Sequence, residues 1–392
     1  MFHPKLKAGY LLLSGLNSFA TVLYFYYLYF YMRTRHGFGN RENLLLAAGL
    51  GFLYIFAAIS GGRFAQKHGY FRALRLGFGT MTLALALGSF LLPLIGLLAI
   101  TVVCVVAMCF TWPTLEALLC EHESRAGVQR MVGIYNLVWA STGSLAYFTG
   151  GAMLEKLGLR SLFLAPLAVI VIEWLVTLRL QRMADSQPVS AAAPAGADRT
   201  TSTQPPPAPA MAKTFLRLAW LINPFCYVAI NSAIPVIPTL ASRLDLTPMF
   251  AGFFCSVWLF ARTLAFLWLW LWPGWHYRFG WLAGSYLAMI GCFSLILLVP
   301  NLWVLMGAQI LFGLSLGLIY YSSLFYSMDV GETKGEHGGL HEAAIGAGNC
   351  VGPAIGATAL YFFPRHQDSG TWAVSGLLIV GLAAMVVLKM RK

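Results

Sequence analysis

Polar residues in this chain come in short clusters, and between them lie apolar stretches too long for the core of a water-soluble domain. Runs of about 20 apolar residues bounded by charge, proline or glycine clusters predict membrane-spanning helices. Twelve are found, at residues 9–31, 43–65, 73–92, 95–119, 131–153, 159–180, 215–240, 249–271, 280–300, 302–327, 340–362 and 371–389. The first is longer than the apolar core of a secretory signal and has no small-residue cleavage pattern after it. It is expected to stay in the membrane.

One long segment breaks the pattern. Residues 183–212 are rich in Ala, Pro, Ser, Thr and Gln and include Gln204-Pro205-Pro206-Pro207-Ala208-Pro209. That composition cannot build a core and reads as a disordered linker. It divides the chain into an expected N-terminal six-helix bundle, residues 1–182, and a C-terminal one, residues 213–392.

Composition agrees: 59% of the 392 residues are hydrophobic and 10% charged, where a soluble domain carries about a quarter charged residues. The net charge of +12 would suggest nucleic acid in a soluble protein. Threaded with both termini in the cytoplasm, eighteen of the 26 Lys and Arg fall in inside segments and seven outside, Arg262 lying within a span. This is the positive-inside asymmetry, and no nucleic-acid partner is expected. Seven cysteines lie in or beside apolar stretches with no C-x-x-C pair, which reads as buried small hydrophobes.

The halves repeat each other weakly. The junction of spans two and three, Gly62 to Tyr70, matches that of spans eight and nine, Pro273 to Trp281, placing Lys67 on Arg278 and Gly69 on Gly280. Span five superposes on span eleven with Asn136 on Glu342 and Gly150 on Gly356. Parallel repeats about an axis normal to the membrane leave such a trace.

With these features the chain resembles the major facilitator superfamily of secondary transporters, over essentially its whole length. That family's loop signature runs roughly G-x-x-x-D-R-x-G-R-R, and the corresponding stretch here is Gly62-Arg63-Phe64-Ala65-Gln66-Lys67-His68-Gly69-Tyr70-Phe71-Arg72. Lys67 and Arg72 keep the basic positions. Gln66 replaces the acid, which removes the charge from the cytoplasmic latch of relatives but leaves an acceptor for helix-end amides. Gly348-Asn349-Cys350-Val351-Gly352-Pro353-Ala354-Ile355-Gly356 fits a G-x-x-x-G-P-x-x-G pattern that drug/proton antiporters of the superfamily carry in helix five; here it lies in span eleven. Glycines four apart allow close helix approach, and Pro353 loosens the backbone ladder, which suits a bending helix.

The resemblance implies an all-α membrane protein with twelve transmembrane helices in two pseudo-symmetric six-helix bundles. It implies alternating access to a small-molecule substrate held at mid-membrane between helices one, four, seven and ten. A monomer in the lipid bilayer of a bacterial-type inner membrane is expected, with no cofactor. No P-loop, dinucleotide fingerprint, H-E-x-x-H, G-x-S-x-G or zinc cluster is present, so neither an enzyme nor a metal site is expected. The mixed-charge run Asp329, Glu332, Glu336, His337, His341 and Glu342 reads as a solvated loop and not as a metal site.

Ionisable groups within spans cost several kcal/mol and are functional candidates by default. Glu116 shares a helix face with Trp112 beside Pro113 and is the leading candidate for a proton or substrate carboxylate; hydration, or pairing with Arg125 or Arg130, is the competing reading. Arg262, in mid-span, must find a carboxylate, a carbonyl or water, and reads either as holding an acid or an anionic substrate or as a purely structural inter-helix bridge. Glu342 reads either as a gating ion-pair partner or as a proton carrier. Glu173, roughly 10 Å of helix rise from Arg179, is expected to pair locally or snorkel. Tyr24, Tyr27 and Tyr31 form one stripe of an aromatic-rich span one, facing a cavity or belonging to an interfacial belt. Asn17, Asn136, Asn223, Asn231, Gln309, Tyr320 and Tyr321 supply polar groups that orient a solute or join helices. Proton-coupled solute transport is the leading function. Export of amphipathic drugs or lysolipids, and a non-transporting receptor or scaffold, are the alternatives.

Overall fold

A computed structural model describes residues 4–90, 93–121, 123, 125–186, 209–330 and 336–391. In chain order the α-helices are α1 Pro4–His36, α2 Asn40–His68, α3 Tyr70–Gly88, α4 Leu94–Met108, α5 Trp112–Cys120, α6 Arg125–Leu157 and α7 Ser161–Asp185. The second half holds α8 Pro209–Ala233, α9 Ile237–Arg243, α10 Pro248–Cys255, α11 Val257–Leu271, α12 Phe279–Leu298, α13 Leu302–Val330, α14 Glu336–Phe362 and α15 Ser369–Met390. Most of the expected linker lies outside the described residues; its two ends extend α7 and α8.

Nine helical segments among the described residues are long and apolar enough to cross a membrane by length and composition. Three expected spans, α3, α6 and α14, fall short of that standard. α3 starts with Arg72 and Arg75 and has 19 residues. α6 and α14 touch helices of both halves, α6 meeting α1, α10 and α11, and α14 meeting α2 and α8. Helices of both halves flank them, so at those contacts they carry glycines and amide side chains where a lipid-facing surface needs alkyl groups. The surfaces that do face outward are apolar, with Phe52, Phe56, Leu83, Leu87, Leu264 and Trp303 exposed, as hydrocarbon solvent requires.

Three expected spans are broken, and each break has a visible cause. Span four is α4 and α5, interrupted ahead of Pro113, which sits in the first turn of α5 and lacks the N–H a continuous helix would need. Span seven is α8, a 3-10 turn Ile234–Val236 and α9, with Pro235 and Pro238 at the joints. Span eight divides at Ser256 between α10 and α11 with no proline. There buried Gln309 on α13 replaces the lost ladder: its Nε2 donates to the Phe254 carbonyl at 2.7 Å, and its Oε1 accepts from the Trp258 amide at 3.5 Å. Backbone groups freed inside a membrane protein must be satisfied by protein.

At the end of span four, buried Lys7 of α1 caps the C terminus of α5. Its Nζ donates to the carbonyls of Leu118, Leu119 and Glu121 at 3.3, 2.6 and 2.9 Å and lies 3.4 Å from the Glu123 carboxylate. A cation on the negative end of a helix dipole is favourable; in the sequence Lys7 is only one of the inside-facing positive charges.

Polar contacts joining the halves cluster at the α1–α2 end. Arg33 donates to Thr239 Oγ1 at 2.7 Å, and Thr239 donates to Asn40 Oδ1 at 2.5 Å. Asn43 donates to the Pro235 carbonyl at 3.1 Å. Glu155 accepts the Met249 amide at 3.0 Å.

The junction repeat is looser than its sequence offset. Gly69, at φ 93°, makes the α2–α3 turn, whereas the positive φ in the second junction belongs to Tyr277, at 56°. Gly280 lies inside α12. The second junction holds an extra 3-10 turn, Pro273–Trp275, which displaces the turn residue from the position matched by sequence.

Candidate functional site

Aromatic rings from both halves meet around Arg262 in mid-span, while Glu116 lies four residues from the end of α5 and Glu342 six residues from the start of α14. Arg262 on α11 is 7% exposed. Its guanidinium carbon lies 4.8 Å from the Trp139 ring centroid on α6 and 5.1 Å from that of Trp258, one turn back on its own helix. These are cation–π distances. Trp139 also meets Trp112, Phe266 and Tyr320, with centroids 6.5, 5.7 and 5.7 Å away. Tyr227 on α8 adjoins Tyr320 at 6.4 Å, and Tyr26 on α1 is within electrostatic range of Arg262.

Arg262 makes no hydrogen bond or ion pair with a described residue, and its Nε is fully buried without a partner. Neither the expected acid nor a structural salt bridge is there; its contact across the halves is with an indole face. Beside it, the hydroxyls of Ser144 and Thr263 meet across the halves at 3.3 Å.

Glu116 on α5 and Glu342 on α14 are within electrostatic range of each other. Tyr135 is within range of both, and Tyr320 within range of both and of Arg262. Glu116 is half-buried and hydrogen-bonds to no described residue, and Arg130 is exposed. Glu342 is buried and accepts from the Tyr54 hydroxyl of α2 at 2.5 Å, a hydrogen bond across the halves in place of an ion pair.

The other expected residues divide into supports and bystanders. Asn136 accepts from Trp139 Nε1 at 2.9 Å, fixing the indole under Arg262. Asn231 donates to Asn349 Oδ1 at 2.6 Å, tying α8 to α14. Asn17 joins α1 to the start of α5 through Thr111 at 3.2 Å. Asn223 is buried with its carbonyl unpartnered. Tyr321 packs beside Phe266 and Trp275. The tyrosine stripe of α1 is interior: Tyr24 bonds Thr101 at 2.9 Å, Tyr27 donates to the Tyr147 carbonyl at 2.5 Å, and Tyr31 packs on Phe163. Tyr24 and Tyr31 pack within the first half, whereas the Tyr27 hydroxyl lies against Gly252 of α10 in the second.

Gly348 and Gly352 bring α14 onto α8, where an added Cβ would collide with the carbonyls of Pro224 and Val228. Gly356 faces Leu44 and Val374, and α14 runs unbroken through Pro353. Gln66, Lys67, Gly69, Arg72 and Arg278 are exposed and Gly62 half-buried; Gln66 takes no hydrogen bond from a described helix-end amide. Glu173 does not pair with Arg179. It is fully buried with both oxygens unpartnered, while Arg179 is exposed. Six residues turn a helix through about 600°, so the two side chains point about 120° apart.

The sequence reading missed Trp139, Trp258, Tyr26, Tyr135, Tyr227 and Phe266. In a chain with 14% aromatics nothing local separates them from lipid-facing rings. The available signal was the i, i+4 spacing of Trp258 and Arg262.

Fold and site together define a multi-pass membrane protein with ionisable groups held between two helical halves. The sequence pattern of the Major Facilitator Superfamily matches residues 10–353, and the chain belongs to that family. The family and the solved structures similar to this chain are transporters, not enzymes. No curated protein matches the sequence closely enough to count as a relative. Among solved structures, a point mutant of the peptide transporter POT superposes with TM-score 0.73 at 13% identity, covering 99% of this chain and 95% of that one. The nucleoside transporter NupG gives 0.69 at 15%, covering 98% of each. A bacterial homologue of the human lysosomal transporter Spinster, inward-facing and unoccupied, gives 0.67 at 14%, covering 98% and 95%.

Proposed function

We propose that this protein is a proton-coupled secondary transporter that moves a small organic solute by alternating access between two six-helix bundles, residues 1–182 and 213–392. The observation that carries the reading is the convergence of Glu116, Arg262 and Glu342, none of them in an ion pair with a described residue, on one band of aromatic rings from both halves. Uncompensated ionisable groups at that depth are costly unless function uses them.

Glu116 and Glu342 are the proton carriers in this account. A proton on one relieves its repulsion with the other, and Tyr54 reports the state of Glu342 to α2 through its hydrogen bond. The positive-inside asymmetry assigns both termini to the cytoplasm of a bacterial-type inner membrane. On that assignment the clasp of Arg33, Asn40, Asn43 and Thr239 closes the outer end. Fold likeness to peptide and nucleoside transporters supports solute transport as the class of activity.

The test is solute flux in proteoliposomes with and without an imposed pH gradient. The expected result is gradient-driven flux that is lost when Glu116→Gln and Glu342→Gln are combined. Unchanged flux in the double variant rules this coupling out.

A further inference from the structure

We infer that the solute is an organic anion with a flat unsaturated body, its carboxylate or phosphate held by Arg262. This rests on the transport reading and adds the substrate's chemical class to the same site.

The argument starts from what Arg262 has and lacks. A guanidinium carries five donors in its plane and two apolar faces. Two indoles lie within cation–π distance of it, Trp139 from one half and Trp258 from the other. No in-plane donor is used by a described residue, and Nε is buried without an acceptor. Neither Glu116 nor Glu342 pairs with it. A buried cation whose rings are supplied and whose acceptors are missing is complementary to a planar oxyanion, which takes two parallel N–H bonds along the guanidinium edge.

The surroundings specify the rest of the molecule. Tyr320 and Tyr227 continue the aromatic band from Trp139, and rings stack best on flat unsaturated bodies. Access is from between the halves, since the lipid face of α11 is the opposite one, where Leu264, Trp268 and Leu271 are exposed. A water-borne solute therefore fits better than a lipid arriving through the bilayer. Tyr320, which adjoins Trp139, is within electrostatic range of Arg262 and of both carboxylates, so it is the group that links the anion site to Glu116 and Glu342.

The experiment is a thermal-shift and tryptophan-quenching titration of the full chain in detergent. Probes are benzoate with its neutral isostere benzamide, phenyl phosphate with phenol, acetate as the small anion, benzyltrimethylammonium as the cation, and lysophosphatidate with lysophosphatidylcholine for a lipid source. Expected is stabilisation by benzoate or phenyl phosphate exceeding that by the neutral partner and by acetate. It should weaken roughly tenfold or more in R262Q and less in R262K. Comparing charged with neutral probes on the wild-type protein needs no variant, so a misfolded R262Q leaves the question open to decision. Neutral partners binding as well as the anions, or benzyltrimethylammonium binding best, overturns the inference; lysophosphatidate alone binding overturns the water-borne source. The two readings fail separately. Transport of a neutral or cationic solute undiminished in R262Q rejects the anion while keeping the transporter, whereas anion binding without flux in proteoliposomes rejects the transporter.

Discussion

The guanidinium of Arg262 stands 4.8 Å from the indole centroid of Trp139, a contact between two residues 123 positions apart that belong to opposite halves of the chain. Any motion of one half against the other changes this contact. Arg262 is thus placed where it senses the relative position of the halves.

Trp139 is held by Asn136, whose Oδ1 accepts the indole N–H. Asn136→Ala should release the ring and weaken ligand binding by about 1 kcal/mol, roughly fivefold, with the protein still folded. Tryptophan-quenching titrations of variant and wild type measure it; equal affinities would show that the ring needs no such support.

Lys7 answers three carbonyls at the end of α5. Lys7→Met keeps the stem and strands those acceptors, which should cost about 1–3 kcal/mol and loosen the end of the helix that bears Glu116. A lowered unfolding midpoint, with faster hydrogen exchange at residues 112–120, is the expected signature.

Gly348 lies where α14 crosses α8, against the Pro224 carbonyl and the Tyr227 side chain. Gly348→Val should force the helices apart at a cost of about 1–3 kcal/mol and displace Tyr227 from the aromatic band. Thermal unfolding reads the first effect and ligand titration the second.

Glu173 predicts the opposite sign. Both its oxygens are buried without partners, so Glu173→Leu removes a desolvated polar group from an apolar setting. The unfolding midpoint should stay level or rise, and flux should persist. A drop in both would mean that the carboxyl group has a use in transport.

The all-helical membrane architecture was legible because apolar length is a strong, additive signal. The breaks at Pro113 and Pro235 follow from missing amides, but the one at Ser256 follows from Gln309, 53 residues away, and no local pattern announces it. Of the site, Arg262, Glu116 and Glu342 stood out in the sequence because charge is rare in spans. Their partners did not. Trp139 and Tyr26 look like any membrane aromatics until α6 and α1 are placed, and Tyr24 and Tyr27, on the more regular stripe, turn inward to Thr101 and Tyr147. The turn at Tyr277 escaped because an inserted 3-10 turn shifts one repeat against the other.

The central claim, exchange between two access states, is tested most directly by spin-label distances at both ends of the same molecule. One pair replaces exposed Lys156 and Asp245 at the clasped end; the other replaces exposed Gln66 and Arg278 at the opposite end. Measurements are made at two pH values with and without ligand. Alternating access predicts two populations whose distances change in opposite directions at the two ends, with the balance shifted by Glu342→Gln. A single distance at each end, unmoved by pH, ligand or substitution, would contradict it and leave a static scaffold.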